Sequence, residues 1–166
     1  MLYTSRYLSP LGEILLAADD RGLTGLWFME NQKHMGRGLS PDAVEKELPV
    51  FDEAKRWLDL YFSGKDPGFT PPLHLVGSAF RNRVGEILLE IPYGHTATYG
   101  EIAARIARER GIPRMSGRAV GGAVGKNPIS MIVPCHRVVG SGGRLTGYGG
   151  GLERKAALLR LEHAIE

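Results

Sequence analysis

The 166-residue sequence predicts an α/β (α+β) fold in two domains, a sheet-containing domain over residues 1–70 and a helical domain over residues 71–166. Short strand-like segments separated by turn residues fill the first part, whereas apolar residues at helical spacing fill the second. Between the two, residues 66–72 contain three prolines and one glycine, a composition typical of a linker. We therefore place the domain boundary near residue 70.

Three strands are predicted at the N-terminus, over residues 2–7, 12–18 and 23–28. Ser9-Pro10 and Asp19-Asp20-Arg21-Gly22 supply the turns between them. Connections this short join neighbouring antiparallel strands, so the three segments should form an antiparallel sheet.

A loop and then helical segments are predicted for the rest of the N-terminal domain. Residues 30–39 are polar and glycine-bearing, which indicates a loop, and Ser40-Pro41-Asp42 can start a short helix. A longer helix begins at Pro49 and ends before Gly64. Its apolar residues recur at helical spacing: Phe51, Ala54, Leu58 and Tyr61.

The C-terminal domain opens with an amphipathic helix that has Ser78 as its N-cap and Pro92 as its stop. Its apolar residues fall on one helical face: Phe80, Val84, Ile87, Leu88 and Ile91. The chain also ends in an amphipathic helix, over residues 152–163.

Two further helices between these have the outline of a helix-turn-helix. Thr98 and Glu101 have the spacing of a capping box, in which each side chain binds a backbone N–H at the other's position, and a helix follows over residues 99–108. After a break at a glycine and a proline, Ser116 caps a short helix over residues 117–124.

This second helix is unusually rich in small residues. It reads Arg118-Ala119-Val120-Gly121-Gly122-Ala123, and each interior glycine costs about 1 kcal/mol relative to alanine. Small side chains allow close approach either of a nucleic-acid groove or of a neighbouring helix, and the sequence leaves both open. Arg118 is the one long side chain that could project from this surface.

Charge is divided unevenly along the chain, whose net charge is +3. Residues 1–74 have 8 Lys and Arg against 11 Asp and Glu, whereas residues 75–166 have 13 against 7. Within residues 105–144 there are eight bases and a single acid, Glu109. Such a cluster is typical of a nucleic-acid-binding surface, although a solvated arginine-rich face would have the same composition.

Several classes of protein are excluded by composition. At 43% hydrophobic and 23% charged residues the chain is an ordinary globular protein, and no apolar run approaches the roughly 18 residues of a membrane span. No export signal is visible, so we expect a cytoplasmic location, nucleoid-associated in a prokaryote. The single cysteine, Cys135, excludes an internal disulfide and a multi-cysteine zinc site. With only His34 and His74 in the N-terminal domain, we expect no metal there.

The surroundings of Cys135 indicate chemistry rather than packing. An apolar, strand-like run over residues 131–140 presents a thiol, an imidazole and a guanidinium in succession at Cys135, His136 and Arg137. The thiolate is the reactive form of cysteine, and both basic neighbours are available to lower the pKa of the thiol. A histidine acting as a base needs an orienting acceptor, for which Glu162 is a candidate. Adjacent strand residues point to opposite faces, so a bridging water between thiol and imidazole is expected.

Glycine is concentrated around this site, since 14 of the 23 glycines lie between residues 94 and 151. The segment over residues 141–151 lacks the Lys-Ser/Thr ending of a phosphate-binding P-loop. We interpret it as a mobile loop that lines a pocket, with Tyr148 as one wall.

Taken together, these motifs resemble the O6-alkylguanine-DNA alkyltransferase family. The resemblance depends on Pro134-Cys135-His136-Arg137-Val138 together with the Arg118-Ala119-Val120-Gly121-Gly122-Ala123 helix. Asn127-Pro128-Ile129 and Thr146-Gly147-Tyr148-Gly149-Gly150-Gly151 extend it, so that it covers about residues 92–162.

The resemblance implies direct DNA repair. The alkyl group of O6-alkylguanine, and of O4-alkylthymine, in duplex DNA would pass to Cys135 in a single-use reaction after the base has been flipped out. His136 would act through a water as the base for Cys135, with Glu162 orienting it. Asn127 would brace the turn before the active-site strand. Tyr99 would push the adjacent phosphate and hydrogen-bond the base.

The resemblance also assigns the remaining contacts. The small-residue helix would enter the minor groove through Ala119, Gly122 and Ala123, and Arg118 would fill the gap left by the flipped base. The substrate pocket would consist of four residues: Pro134, Val138, Tyr148 and Gly149. The family fold implied is a ribonuclease H-like N-terminal domain with a three-stranded sheet, followed by a helical domain with the helix-turn-helix and an active-site loop.

No cofactor, metal or membrane is implied, and the expected partner is double-stranded DNA bearing O6-alkylguanine. The free protein would be a monomer, and cooperative binding along DNA remains open. Two other functions stay compatible with parts of the sequence. A protein that recognises alkylated guanine without repairing it would share the helices, but such relatives have another residue in place of the cysteine. A cysteine hydrolase with a Cys-His-Glu relay would leave the basic helix-turn-helix without a purpose.

Overall fold

The computed structural model describes residues 1–30, 35–36 and 39–166, and its residues group into two compact units. The first unit comprises Met1–Val76 and Pro128–Ile132, and the second comprises Gly77–Asn127 and Val133–Glu166. The first unit thus extends six residues beyond the boundary placed at residue 70 and takes in a short segment from later in the chain. His34 and much of the predicted loop over residues 30–39 lie outside the described residues.

The sheet of the first unit follows the predicted meander. Strands β1 (Tyr3–Ser9), β2 (Gly12–Ala18) and β3 (Leu23–Phe28) pair in antiparallel fashion along the chain. Asp19 closes the β2–β3 turn by accepting hydrogen bonds from two backbone N–H groups, those of Arg21 and Gly22. Because such turn residues can be recognised in a sequence, the end of β2 and the start of β3 could be predicted.

A fourth strand corrects the prediction of three. Strand β4 (Val44–Glu45) pairs in parallel with β1, so the described sheet has the order β3-β2-β1-β4. The Val44 N–H donates to the Leu2 carbonyl, just before β1, and the Lys46 N–H donates to the Thr4 carbonyl in β1. The short helix predicted from Ser40 is therefore wrong, because the open edge of β1 offers hydrogen bonds that a weak capping signal cannot match.

Helix α1 (Pro49–Phe62) covers this sheet and forms the core of the first unit. It begins at a proline, as predicted, and buries Phe51, Ala54, Trp57, Leu58 and Tyr61. The Pro128–Ile132 segment pairs with β3, where Leu26 donates to Pro128 and accepts from Ser130.

The second unit consists of short helices with the predicted caps. Helices α2 (Ala79–Leu88), α3 (Tyr99–Arg110) and α4 (Gly117–Gly125) are capped by the Ser78, Thr98 and Ser116 side chains. Both halves of the Thr98–Glu101 capping box are formed. The last helix is α5 (Leu152–Leu161), with Glu162 as its C-cap.

The backbone around the cysteine differs from the predicted strand. Cys135–Arg137 is a single 3₁₀ turn, and only Val138–Val139, strand β6, is extended, in parallel with β5 (Ala97–Thr98). Pro134, which has no N–H to donate to a ladder, stands at the start of the turn, and its carbonyl accepts from the Arg137 N–H. In the turn all three residues point into the unit and are buried. No helix of the described residues is long and apolar enough to cross a membrane.

Candidate active site and nucleic-acid interface

The Cys135 thiol lies in a buried position and is 6% exposed. The Asn127 amide holds the backbone before it, donating from Nδ2 to the Val133 carbonyl at 2.9 Å. The Cys135 N–H donates to the same carbonyl, which closes a tight turn immediately before the 3₁₀ turn. Met131, just upstream, has a left-handed backbone (φ 70°), a conformation that a non-glycine residue holds only when its surroundings impose it. The thiol is thus fixed by backbone geometry as well as by burial.

Burial raises the pKa of the Cys135 thiol above its ordinary value, because a thiolate is poorly solvated there. Three influences oppose that rise: the Asn127 side chain, the charge of Lys155 and backbone N–H groups. Of the two neighbours predicted from the sequence to lower this pKa, His136 acts through its backbone N–H, and the charge of Arg137 is not among these influences. The cation that acts on the thiol is Lys155.

His136 is bonded to Glu162, as the sequence suggested. The distance from His136 Nε2 to Glu162 Oε2 is 2.6 Å, and both side chains are fully buried. Burial lowers the pKa of His136, as do the charges of Arg137 and Lys155, against the influence of Glu162. The imidazole is therefore neutral near pH 7. A carboxylate can only accept, so Nε2 carries the hydrogen and Nδ1 carries the lone pair of a base.

Glu162 is itself held by fixed donors. Its Oε1 accepts from Arg137 Nε at 2.8 Å and from the Gly94 backbone N–H at 3.1 Å. Burial disfavours the carboxylate, but the hydrogen bonds from His136 and Arg137 outweigh it and hold the pKa of Glu162 at about 2. Gly94 has a left-handed backbone (φ 80°), and a Cβ there would lie 3.2 Å from the Glu162 carbonyl oxygen. Glycine is thus required where the chain approaches Glu162.

The predicted pocket residues surround the thiol-bearing turn. Pro134 and Val138 flank it and are buried. Tyr148 is 8% exposed, and its ring meets the His136 ring edge to face with centroids 6.5 Å apart. Gly149 is half-buried beside it. The glycine-rich segment therefore does bring Tyr148 against the imidazole.

Tyr99 opens helix α3 and reaches the same segment. Its hydroxyl donates to the Thr146 carbonyl at 3.5 Å, a long bond that a better acceptor can replace. Burial raises the pKa of Tyr99, so the phenol keeps its proton and remains a donor.

The exposed face of helix α4 consists of small residues beside one arginine. Arg118, Ala119 and Gly122 are exposed, and a Cβ built on Gly122 would meet no atom within 4 Å. A Cβ on Gly121 would make only ordinary contact with the Tyr99 ring, at 3.9 Å. Packing inside the unit does not require these glycines. Ala123, grouped with this face from the sequence, is 8% exposed and lies on the buried side of the helix instead.

Fewer bases are available for nucleic-acid binding than the sequence of residues 105–144 suggests. Arg105 pairs with Glu90 and Glu109, and Arg137 is buried on Glu162, so neither is available to a phosphate. The other six bases of residues 105–144 are exposed: Arg108, Arg110, Arg114, Arg118, Lys126 and Arg144. These retain the charge expected of a nucleic-acid interface.

Metal ligands do not gather anywhere in the part of the chain that the structure describes, where no group of three or more His, Cys, Asp or Glu could hold an ion. His74 Nδ1 instead lies 2.5 Å from Asp19 Oδ2, in the first unit. It ties the segment after the first unit's helix to the β2–β3 turn.

Comparison with known protein families identifies the family of this chain. Residues 2–75 match the model of the 6-O-methylguanine DNA methyltransferase ribonuclease-like domain, and residues 79–164 match that of the 6-O-methylguanine DNA methyltransferase DNA binding domain. The chain belongs to the 6-O-methylguanine DNA methyltransferase family. The resemblance and the α/β fold class identified from the sequence are both confirmed, apart from the number of strands.

Relatives match along nearly the whole chain. The methylated-DNA–protein-cysteine methyltransferase of Methanosarcina acetivorans is 46% identical over 161 residues, covering 97% of this chain and 98% of the relative. That of Mycobacterium leprae is 44% identical, covering 98% and 93%. A solved structure of Mycobacterium tuberculosis OGT in complex with DNA superposes with a TM-score of 0.79 at 43% identity, covering 98% and 92%. The methyltransferase fold thus extends through both units, and the Mycobacterium tuberculosis protein binds DNA.

Lys155 is the residue of this site that sequence reasoning missed. It is fully buried, and its Nζ donates to two backbone carbonyls, those of Val138 and Thr146. One signal could have found it: Lys155 lies three, four and seven residues before Leu158, Leu159 and Glu162, on one helical face.

Proposed function

We propose that this protein repairs O6-alkylguanine in double-stranded DNA by transferring the alkyl group to Cys135, once per molecule. The observation that supports this best is that the buried Cys135 immediately precedes His136, which is hydrogen-bonded to Glu162. Both lie in the part of the chain that matches the family's DNA-binding model. A thiol on its own is weakly nucleophilic, and this arrangement supplies the base that activates it.

The chemical step moves one alkyl group and one proton. His136 Nδ1 takes the thiol proton through a water, and Glu162 stabilises the imidazolium that results. The Sγ–carbon bond then forms as the carbon–O6 bond breaks, and its electron pair remains on guanine. Guanine takes up one proton in place of the alkyl group, and the imidazolium loses one to water, so charge and protons balance. The thioether product has no leaving group for water to displace, and the protein is consumed.

Base flipping is required because the buried thiol cannot reach an atom inside the base stack. The exposed face of α4 fits this task, since its small residues let the helix backbone approach a minor groove closely. Arg118 would occupy the space of the extruded base, with Ala119 and Gly122 against the sugar-phosphate edges.

The pocket residues would then hold the flipped base. Tyr99 would donate to the base and displace the neighbouring phosphate, and the backbone at Val138 would read the guanine edge. Pro134, Tyr148 and Gly149 would complete the walls. The same pocket would accept O4-alkylthymine, whose reacting oxygen is equivalent.

Assembly and location complete the proposal. The free protein would be a monomer, with cooperative binding along DNA as a property to be measured. A cytoplasmic, nucleoid-associated location fits because the acceptor thiol must stay reduced and must meet DNA.

Counting repaired lesions distinguishes a single-use repair protein from an enzyme with many turnovers. A duplex with one O6-methylguanine is incubated in large excess over the protein, and the remaining lesion is measured by chromatography of the hydrolysed DNA. We expect the loss to stop at one lesion per protein. Continued loss beyond that ratio would mean a hydrolytic enzyme, and binding without loss would mean a recognition protein.

Arg118→Ala should separate DNA remodelling from chemistry. Loss of the residue that fills the gap removes roughly 1.4 to 3 kcal/mol of support for the flipped state, so duplex repair should slow about 10- to 100-fold. Reaction with free O6-benzylguanine, which needs no flipping, should be unchanged. Arg21→Ala, an exposed arginine of the first unit, is the control. Equal loss with both substrates would contradict the proposed role of Arg118.

Substitution of Gly122 should raise stability and weaken DNA binding together. Because nothing lies within 4 Å of a Cβ at this position, Gly122→Ala should stabilise the fold by about 1 kcal/mol. Gly122→Leu should remain at least as stable as the glycine form but bind duplex DNA more weakly than the alanine variant. Urea unfolding and fluorescence anisotropy measure the two effects. Unchanged DNA affinity in the leucine variant would remove this face from the interface.

A further inference from the structure

Lys155 is a buried cation for which the proposed chemistry has no use. It lies in helix α5 and is 0% exposed, although lysine is almost never fully buried unless it is paired. Its ammonium donates to the Val138 carbonyl at 2.6 Å and to the Thr146 carbonyl at 2.7 Å. Both bonds are short and charge-assisted, so the side chain is held in one place.

These two carbonyls belong to different walls of the site. Val138 directly follows the thiol-bearing turn, and Thr146 lies in the glycine-rich segment that carries Tyr148. The Thr146 carbonyl also accepts from the Tyr99 hydroxyl, and Lys155 Nζ lies 6.0 Å from the centroid of the Tyr99 ring. A single ammonium therefore links three parts of the proposed pocket.

The charge of this ammonium is not balanced by a carboxylate. Among the residues described, no acid lies within salt-bridge distance of Nζ, and Glu162 is engaged with His136 and Arg137. Burial lowers the pKa of Lys155 to about 8, and Cys135 is the ionisable group that opposes this. The attraction is mutual, because the charge of Lys155 lowers the pKa of Cys135.

We propose that Lys155 is a positioning residue that clamps the Val138 and Thr146 walls together and stabilises the Cys135 thiolate as it forms. This inference rests on the proposed function, since it needs the thiolate to be the alkyl acceptor. The ionisable groups that face the ammonium are Cys135 from the turn, Tyr99 from α3 and the neutral imidazole of His136. Of these, only the thiol becomes an anion in the reaction.

Transfer of the alkyl group removes the partner of this cation. The sulfur becomes a neutral thioether, whereas the ammonium keeps its buried position between two dipoles. The stabilising charge pair thus exists only while the sulfur is a thiolate, and it is absent after transfer.

The test compares Lys155→Met, whose side chain has a similar length, with Lys65→Met at an exposed lysine of the first unit. The rate of Cys135 alkylation by iodoacetamide is measured from pH 6 to 10, which reports the thiolate directly. We expect the midpoint of the pH profile to rise by about one unit in Lys155→Met, with reaction about 10-fold slower below the midpoint. Lys65→Met should behave as the unsubstituted protein. A slower reaction with an unmoved midpoint would make Lys155 merely structural and overturn the proposal.

A second measurement needs no variant and holds if Lys155→Met does not fold. The lysine side-chain NMR signals of the unsubstituted protein are titrated before and after iodoacetamide has blocked the thiol. The pKa of Lys155 should fall by about one unit once its anionic partner is a thioether, and an unchanged pKa would overturn the proposal. Neither readout uses DNA, so failure of the repair function would be seen separately, in the count of repaired lesions.

Discussion

Glu162→Gln is expected to slow alkyl transfer roughly 10²- to 10⁴-fold while leaving the fold in place. The reason is the hydrogen-bond direction at His136. Arg137 Nε and the Gly94 N–H both donate to Oε1, so the corresponding position of a glutamine must remain its oxygen. The amide NH₂ then faces His136 Nε2, which has to accept. The imidazole hydrogen moves to Nδ1, and the nitrogen that takes the thiol proton is no longer a base.

Single-turnover repair of an O6-methylguanine duplex measures this effect, below the melting temperature of the variant. Glu153→Gln, an exposed acid in the first turn of the same helix, is the matched control and should repair at the normal rate. DNA affinity should be unchanged in both variants. A rate within threefold of the unsubstituted protein would mean that His136 is not the base.

Arg137→Met should cost about 3 to 5 kcal/mol of unfolding free energy, the range found when one member of a buried ion pair is removed. Arg137 is 7% exposed, with bonds to Glu162 and to the Ile91 carbonyl at 2.7 Å. Its removal leaves a buried carboxylate with fewer donors and a buried carbonyl without its guanidinium.

The loss should depend on pH in a defined direction. The pKa of Glu162 is depressed in the folded protein from 4.5 to about 2, which corresponds to roughly 3 kcal/mol. A depressed carboxyl pKa stabilises the fold above its unfolded value and ceases to do so as pH falls through the folded value. The difference in unfolding free energy between the unsubstituted protein and Arg137→Met should therefore be largest at pH 7 and shrink as the pH falls from about 4.5 to 2.

Urea unfolding at a series of pH values measures this difference. Arg160→Met, an exposed arginine on α5, is the control and should change stability by no more than about 0.5 kcal/mol. A pH-independent loss in Arg137→Met would show that packing alone, and not the charge on Glu162, accounts for the effect.

Local signals made most of the helical unit predictable. The Thr98–Glu101 capping box and the Ser116 cap act within four residues, and both helices start where these signals place them. Strands β2 and β3 are equally well predicted, because turn residues bound them on both sides.

Features that depend on distant parts of the chain were not predictable in the same way. Strand β4 pairs with the open edge of β1, and the turn at Cys135 begins at Pro134 rather than continuing the predicted strand. Sequence alone cannot tell which carboxylate a guanidinium will reach, so Arg137 was expected near the thiol and lies instead on Glu162.

The burial of Lys155 was not predictable for the same reason. A lysine on a terminal helix usually lies at the surface, and its burial follows from the glycine-rich segment folding over it to supply the Thr146 carbonyl. The pairing of His136 with Glu162, by contrast, was predictable, because few acids exist in this half of the chain.

Intact-protein mass spectrometry tests the central claim most directly. The protein is incubated with a duplex containing one O6-methylguanine, with Cys135→Ser as the control. We predict a gain of one methyl group per molecule that saturates at one and is absent from the control. An unchanged mass, with binding to the duplex retained, would contradict alkyl transfer to Cys135 and make this a lesion-recognition protein.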